Sequence, residues 1–210
     1  MTTILLIRHA ENDYVKKHRL AGRLPGVNLN KAGVAQALVL AEKLAQAPIK
    51  AIYSSPLERA VQTAEPLANA LGLEVCPRQG LIETDCGEWQ GQSWKKLGRT
   101  KVWRRVQYSP SLFRFPGGET FADAQRRVCQ EIEAIYRQHD PHDLVACFSH
   151  ADPIRLAIAY YLGLPLDNFQ RLSVSPASIT ALQIGENSSR LLALNFNPSF
   201  SWYTTPHAPH

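Results

Sequence analysis

Four apolar residues in unbroken succession, Ile4 to Ile7, lie between Thr3 and Arg8 and give the first structural signal in the chain. A short continuous run of this kind suits a strand covered on both faces, as in a parallel sheet. Apolar positions at helical spacing follow from Lys31 to Gln46. Beyond Pro48 comes a second strand, Ala51 to Ser54, and Pro56 opens a helix reaching about Ala70. The helical pattern returns over Thr120 to Gln138, with Thr120 and Asp123 as capping residues. A buried strand follows over Asp143 to Phe148, then a helix over Pro153 to Leu162. Near the end, Arg171 to Val174, Ser178 to Ile184 and Leu191 to Asn195 alternate as edge strands do, with Gly185 and Asn187 turning between the last two. Strand and helix alternation predicts a three-layer α/β/α fold with a mostly parallel central sheet, in which ligands bind beyond the carboxyl ends of the strands.

One stretch breaks the rhythm. Gln90 to Phe115 is basic and aromatic, with Trp94, Lys95, Lys96, Arg99, Lys101, Trp103, Arg104 and Arg105, and ends in Phe115-Pro116-Gly117-Gly118. It reads as a small inserted helical cap, over about 90–115, within a single domain of residues 1–196; a Pro, His and aromatic extension, 197–210, carries Trp202 and Tyr203. The basic positions fit a solvated helix face better than a recognition surface, although Arg99, Arg104 or Arg105 turned inward would meet an anionic substrate.

Composition narrows the classes. With 45% hydrophobic and 20% charged residues the chain matches ordinary globular proteins. The run at Ile4 is too short for a membrane span or a leader, so a cytoplasmic protein without membrane association is expected. Cys76, Cys86, Cys129 and Cys147 occur singly, which favours reduced thiols over a disulfide scaffold or a zinc site. A net charge of +5 attracts anions of every kind, from nucleic acid to phosphorylated metabolites. Trp94 and Trp103 lack the further aromatic and basic alternation of a stacking platform, so no nucleic-acid partner is expected.

The polar residues that fall at predicted strand ends carry the chemistry. Arg8 and His9 follow the first strand, Ser54 to Arg59 the second, and Ser149 and His150 the later one. Arginine's planar, permanently charged fork matches phosphate oxygens in pairs, so Arg8 and Arg59 suit a dianion held against His9. Neutral imidazole is a competent nucleophile, and a covalent intermediate divides one hard displacement into two easier ones. Glu83, its pKa raised by a bound phosphate, would protonate the leaving alcohol and then activate water. His150 would both bind the phosphate and stabilise charge in transit. His18, His139 and His142 stand alone and read as structural or exposed.

The motifs resemble those of the histidine phosphatase superfamily in its phosphoglycerate mutase-like branch. Leu6-Ile7-Arg8-His9-Ala10-Glu11 is similar to the RHG motif, and Ser54-Ser55-Pro56-Leu57-Glu58-Arg59-Ala60-Val61-Gln62-Thr63-Ala64 to the helix start that bears the second phosphate-binding arginine. Leu81 to Gly91 resembles the acid loop, Phe115 to Thr120 the PGGES element, and Ser149 to Arg155 the second-histidine motif. The resemblance implies a metal-independent phosphatase without cofactor, acting on a small anionic phosphorylated metabolite through phosphohistidine on His9. The alternatives are mutase-type phosphoryl transfer, and a phosphate-binding module without turnover. The tyrosine-rich loop of true mutases is missing; a homodimer is left open. Ala10 for glycine is a small change that a backbone without positive φ tolerates, while the other departures fall on substrate contacts: Asn12 and Val15 where Ser or Thr and Asn are usual, and Ala21 for a glutamine. Asn12 is the substitute phosphate contact. Ala151 and Asp152 replace two glycines, which places an acid where it can alter the substrates accepted.

Overall fold

The computed structural model describes residues 1–197. Six strands form one sheet: β1 (Thr2–Arg8), β2 (Ile49–Ser54), β3 (Val75–Pro77), β4 (Leu144–Ser149), β5 (Ile179–Ile184) and β6 (Ser189–Phe196). Their order is β3-β2-β4-β1-β5-β6. The first four run parallel, while β5 pairs antiparallel with both β1 and β6 and the two close one edge. The fold is therefore the expected α/β class with helices on both faces.

Among the described residues seven α-helices accompany the sheet: α1 (Asp13–Lys16), α2 (Lys31–Leu44), α3 (Glu58–Leu71), α4 (Trp94–Leu97), α5 (Lys101–Tyr108), α6 (Phe121–Tyr136) and α7 (Ala151–Tyr161). The unbroken apolar run of β1 serves two cores at once. Leu5 and Ile7 point toward α2 and α3, joining Leu40, Leu67 and Phe148. Ile4 and Leu6 point to the other side, where α6 and α7 supply Ile132, Ile135, Leu156 and Ile158. Period-two alternation across a sheet covered on both faces requires this arrangement, and each such side chain contributes about 1.5–3 kcal/mol of burial.

Helix ends follow sequence signals. Thr120 and Asp123 close a reciprocal capping box at the start of α6. The α3 helix stops at Gly72, whose φ of 64° is the left-handed conformation that favours glycine. The α7 helix begins two residues earlier than the Pro153 signal, because His150 serves as its N-cap and Pro153 fits within the first turn.

One expected strand is absent. Arg171 to Val174 is the end of a 3-10 helix (Leu166–Arg171) followed by a loop. Val174 is buried as the alternation implies, but β5 already occupies the edge of β1, leaving no ladder for this segment to join. The loop is instead tied to the strand end, with Ala177 N–H donating to the Arg8 carbonyl at 3.1 Å.

The 90–115 segment is helical, built of α4, α5 and a 3-10 turn (Pro110–Leu112). Its anchor is a chain of rings: Trp89 to Phe113 at 5.3 Å between centroids, Phe113 to Phe115 at 4.9 Å, Phe115 to Phe121 at 5.3 Å, and Phe121 to Phe169 at 4.9 Å. Its basic residues Lys95, Lys96, Arg99, Arg104 and Arg105 are exposed. Trp202 and Tyr203 lie outside the described residues. Among the described residues no helix is long and apolar enough to cross a membrane.

Candidate active site

Parallel register sets the site. Arg8 of β1 pairs with Ser149 of β4, so His9 and His150 leave the sheet side by side, with ring centroids 5.2 Å apart. Ser54 of β2 pairs with Phe148, which brings Ser55 and the start of α3 to the same end. Three separate chain segments thus converge beyond the carboxyl ends of adjacent strands.

His9 is almost wholly buried, and its Nδ1 lies 2.7 Å from the Ala10 carbonyl. A carbonyl only accepts, so Nδ1 carries the hydrogen and Nε2 keeps its lone pair, a tautomer assigned from the hydrogen-bond network. Burial first, then the Arg59 and Arg8 cations, hold the imidazole pKa well below its ordinary value, so the ring is neutral at neutral pH. Ala10 N–H donates to Thr63 Oγ1 at 3.0 Å, locking the turn after the strand to α3.

Around this ring are donors with unfinished hydrogen bonding. Arg8 uses Nη1 on the Val174 carbonyl at 2.8 Å, but its buried Nε has no partner. Burial, and then Arg155, lowers its pKa to about 10, which leaves it cationic at pH 7. Arg59 gives Nη2 to the Gly22 carbonyl at 2.8 Å and leaves Nε and Nη1 unpartnered. His150 pairs Nε2 with Ser55 Oγ at 2.8 Å and leaves Nδ1 free of any hydrogen bond. Asn12 caps α1 through Oδ1, accepting from Val15 N–H at 2.9 Å, while its buried Nδ2 is unpartnered. An unpaired buried donor costs roughly 1–3 kcal/mol, so four of them and a free imidazole nitrogen beside one histidine are what an anion-binding site presents.

Glu83 faces the same cavity and lies 3.9 Å from His150 Nδ1. Burial, and then the neighbouring Asp152 carboxylate, push its pKa up to about 7. Its loop is fixed by a clamp. Arg23 Nε donates to the Glu83 carbonyl at 2.8 Å, and Arg127 Nη1 donates to the Gly80 and Ile82 carbonyls at 2.9 and 2.8 Å. Both guanidinium groups also hold Glu119 Oε1, at 3.0 and 2.7 Å, and Asp85 N–H donates to the same oxygen at 2.8 Å. Because Gly22 carries Arg59 and Arg23 carries the acid loop, one short segment links the guanidinium to the carboxyl.

Arg8, His9, Asn12, Arg59 and Glu83 all line one cavity of about 120 Å³, and His150 packs against its histidine. The six site residues expected from sequence are therefore brought to one place. Arg99, Arg104 and Arg105 are not among the lining residues; Arg19 and Arg155 are. Sequence reasoning missed Ser55, Thr63 and the Arg23, Glu119 and Arg127 clamp. The adjacent serine pair before Pro56 and the PGGE element were the signals available for Ser55 and Glu119. Among the described residues no group of three or more His, Cys, Asp or Glu side chains is arranged to hold a metal ion.

A mostly parallel sheet that gathers two histidines, two buried arginines and one acid at the same end suits a bound phosphate. The profile of the histidine phosphatase superfamily (branch 1) matches residues 4–197, and the chain belongs to that family. It is 32% identical over 197 residues to phosphoserine phosphatase 1 of Hydrogenobacter thermophilus, spanning 93% of this chain and 92% of the relative. It is 30% identical over 188 residues to the 2,3-bisphosphoglycerate-dependent phosphoglycerate mutase of Thermoplasma acidophilum, spanning 88% of each. Among solved structures, a mycobacterial glucosyl-3-phosphoglycerate phosphatase in complex with VO3 superposes with a TM-score of 0.85 at 28% identity, covering 93% of this chain and 99% of that one. Phosphatase activity is the function class that this membership supports.

Proposed function

We propose that this chain hydrolyses small phosphate monoesters without a metal ion, through a phosphohistidine on His9. The observation that carries the reading is the set of five unpartnered buried nitrogens on Arg8, Arg59, His150 and Asn12, arranged about a histidine whose Nε2 lone pair is free. Arg8 and Arg59 supply the charge that neutralises a phosphate dianion.

In the first step His9 Nε2 forms a bond to phosphorus as the bond to the ester oxygen breaks, and the Glu83 carboxyl proton passes to that leaving oxygen. In the second, the Glu83 carboxylate takes a proton from water, whose oxygen bonds to phosphorus while the electron pair of the P–N bond returns to Nε2. His150 keeps Nδ1 toward the transferring group because Ser55 occupies Nε2. A cavity of about 120 Å³ suits a small phosphorylated metabolite.

Release of phosphate from p-nitrophenyl phosphate in the presence of EDTA tests this. Turnover in the wild type that disappears in His9→Ala is the expected result; turnover that survives in His9→Ala would exclude His9 as nucleophile.

A further inference from the structure

We infer that Asp152 and Arg155 form the subsite for the leaving group, and that the alcohol bound there is a zwitterion with an ammonium next to a carboxylate. The inference rests on the phosphatase reading above. Both residues line the cavity together with His9, Arg59 and Glu83. They sit one turn apart on α7, joined by Arg155 Nη1 donating to Asp152 Oδ1 at 3.2 Å, with side chains only 25% and 28% exposed.

A carboxylate is out of place in a site built for an anion unless something else needs it. Asp152 lines the same cavity as Glu83 and Arg8, and its carboxylate helps to hold the Glu83 pKa up. Glu83 delivers its proton to the ester oxygen, which puts Asp152 on the leaving-group side of the phosphate. Among the described residues Asp152 Oδ2 takes no hydrogen bond, and Arg155 keeps a buried Nε with no partner. The subsite therefore offers one unused acceptor carrying negative charge and unused donors carrying positive charge, a few ångströms apart.

That pattern selects among leaving groups. A purely anionic alcohol gains from Arg155 but is repelled by Asp152. A sugar diol is best held by both oxygens of one carboxylate, and Arg155 already takes one of them. An uncharged alkyl group leaves both charges unused. An amino-acid head, with ammonium on Asp152 and carboxylate on Arg155, satisfies both without adding net charge. An ion pair serving only the first turn of α7 would show no such selection.

The test is a factorial panel on the purified full chain at pH 7: O-phosphoserine with both charges, 3-phosphoglycerate with the carboxylate alone, O-phosphoethanolamine with the ammonium alone, and glycerol 3-phosphate with neither. p-Nitrophenyl phosphate serves as reference. The expected kcat/KM for phosphoserine exceeds each of the other three metabolites by at least about tenfold, the discrimination of a site whose polar groups are left unpaired by the wrong ligand. Asp152→Asn is expected to shrink the phosphoserine to 3-phosphoglycerate ratio by at least about tenfold, and Arg155→Gln to shrink the phosphoserine to phosphoethanolamine ratio likewise. Ratios taken within one variant are unaffected by the fraction that folds. Turnover of p-nitrophenyl phosphate with phosphoserine no better than the other metabolites, or ratios unchanged in both variants, would overturn the subsite and leave the phosphatase reading standing. Failure to hydrolyse any of the five would overturn both.

Discussion

Glu83→Gln separates the proposed acid from the rest of the site, because the amide keeps the shape of the carboxyl and has no acidic proton. With its pKa pushed up to about 7 by burial and then by Asp152, about half of the Glu83 side chains carry a proton at pH 7; at the ordinary value of 4.5 about one in 300 would. General acid catalysis is worth about 10²- to 10⁴-fold, or roughly 3 to 5 kcal/mol of barrier. The loss should therefore depend on the leaving group. For an alkyl phosphate, whose alkoxide is a poor leaving group, kcat/KM should fall by about 10²- to 10⁴-fold. For p-nitrophenyl phosphate, whose phenolate departs without a proton, the fall should be far smaller. The pH profile supplies a second readout. Activity on the alkyl ester should decline in the wild type as pH rises through about 7, as Glu83 loses its proton, and this limb should be missing in the variant. His9 does not confuse the profile, since its pKa is held well below 6.5. Equal losses for both esters, or a limb near pH 7 that persists in Glu83→Gln, would refute the assignment of Glu83 as the acid.

Two further outcomes follow from the same geometry. In Glu119→Gln the oxygen that accepts from Arg23, Arg127 and Asp85 N–H loses its charge, so urea unfolding should show a loss of about 1–3 kcal/mol. Its kcat on alkyl phosphates should drop more than its affinity for inorganic phosphate, because the clamp holds the acid loop; equal effects would contradict a positioning role. Stability should also respond to pH in two opposed ways. His9 and His150 have folded pKa values depressed by burial first, so the unfolded chain takes up protons sooner and stability falls as pH drops below 6.5. Glu83 has a raised value, so its cost is absent below 4.5, grows between 4.5 and about 7, and is complete above that. Glu83→Gln, which keeps only the histidine effect, should therefore lose more stability than the wild type between pH 7 and pH 5 by urea unfolding, and should be more stable than the wild type at pH 8.

The parts of the fold that could be read from sequence are those whose signal is local. Ile4 to Ile7 forms a strand because four successive apolar side chains need cover on two faces, and the two hydrophobic cores on either side of β1 supply it. Thr120 and Asp123 form their capping box from residues three positions apart. Elements without such signals escaped notice: β3 is three residues long with two of them exposed, and α1 is a single turn with no buried residue. Arg171 to Val174 had the alternation of a strand, but whether a ladder is available depends on β5, which local pattern does not encode. The site divides in the same way. Histidines that follow predicted strands were visible, and parallel register then placed them together. Ser55 against His150, and Arg127 against Glu83 across 44 positions, are long-range pairings that only the folded chain brings about.

The central claim is that His9 carries the phosphoryl group, and rapid acid-free quenching followed by intact mass and fragment analysis tests it most directly. The account predicts an acid-labile adduct of one phosphoryl group on the fragment containing His9, formed with p-nitrophenyl phosphate and longer-lived in Glu83→Gln, which cannot activate water. Turnover with no such adduct, or an adduct that remains in His9→Ala, would contradict it.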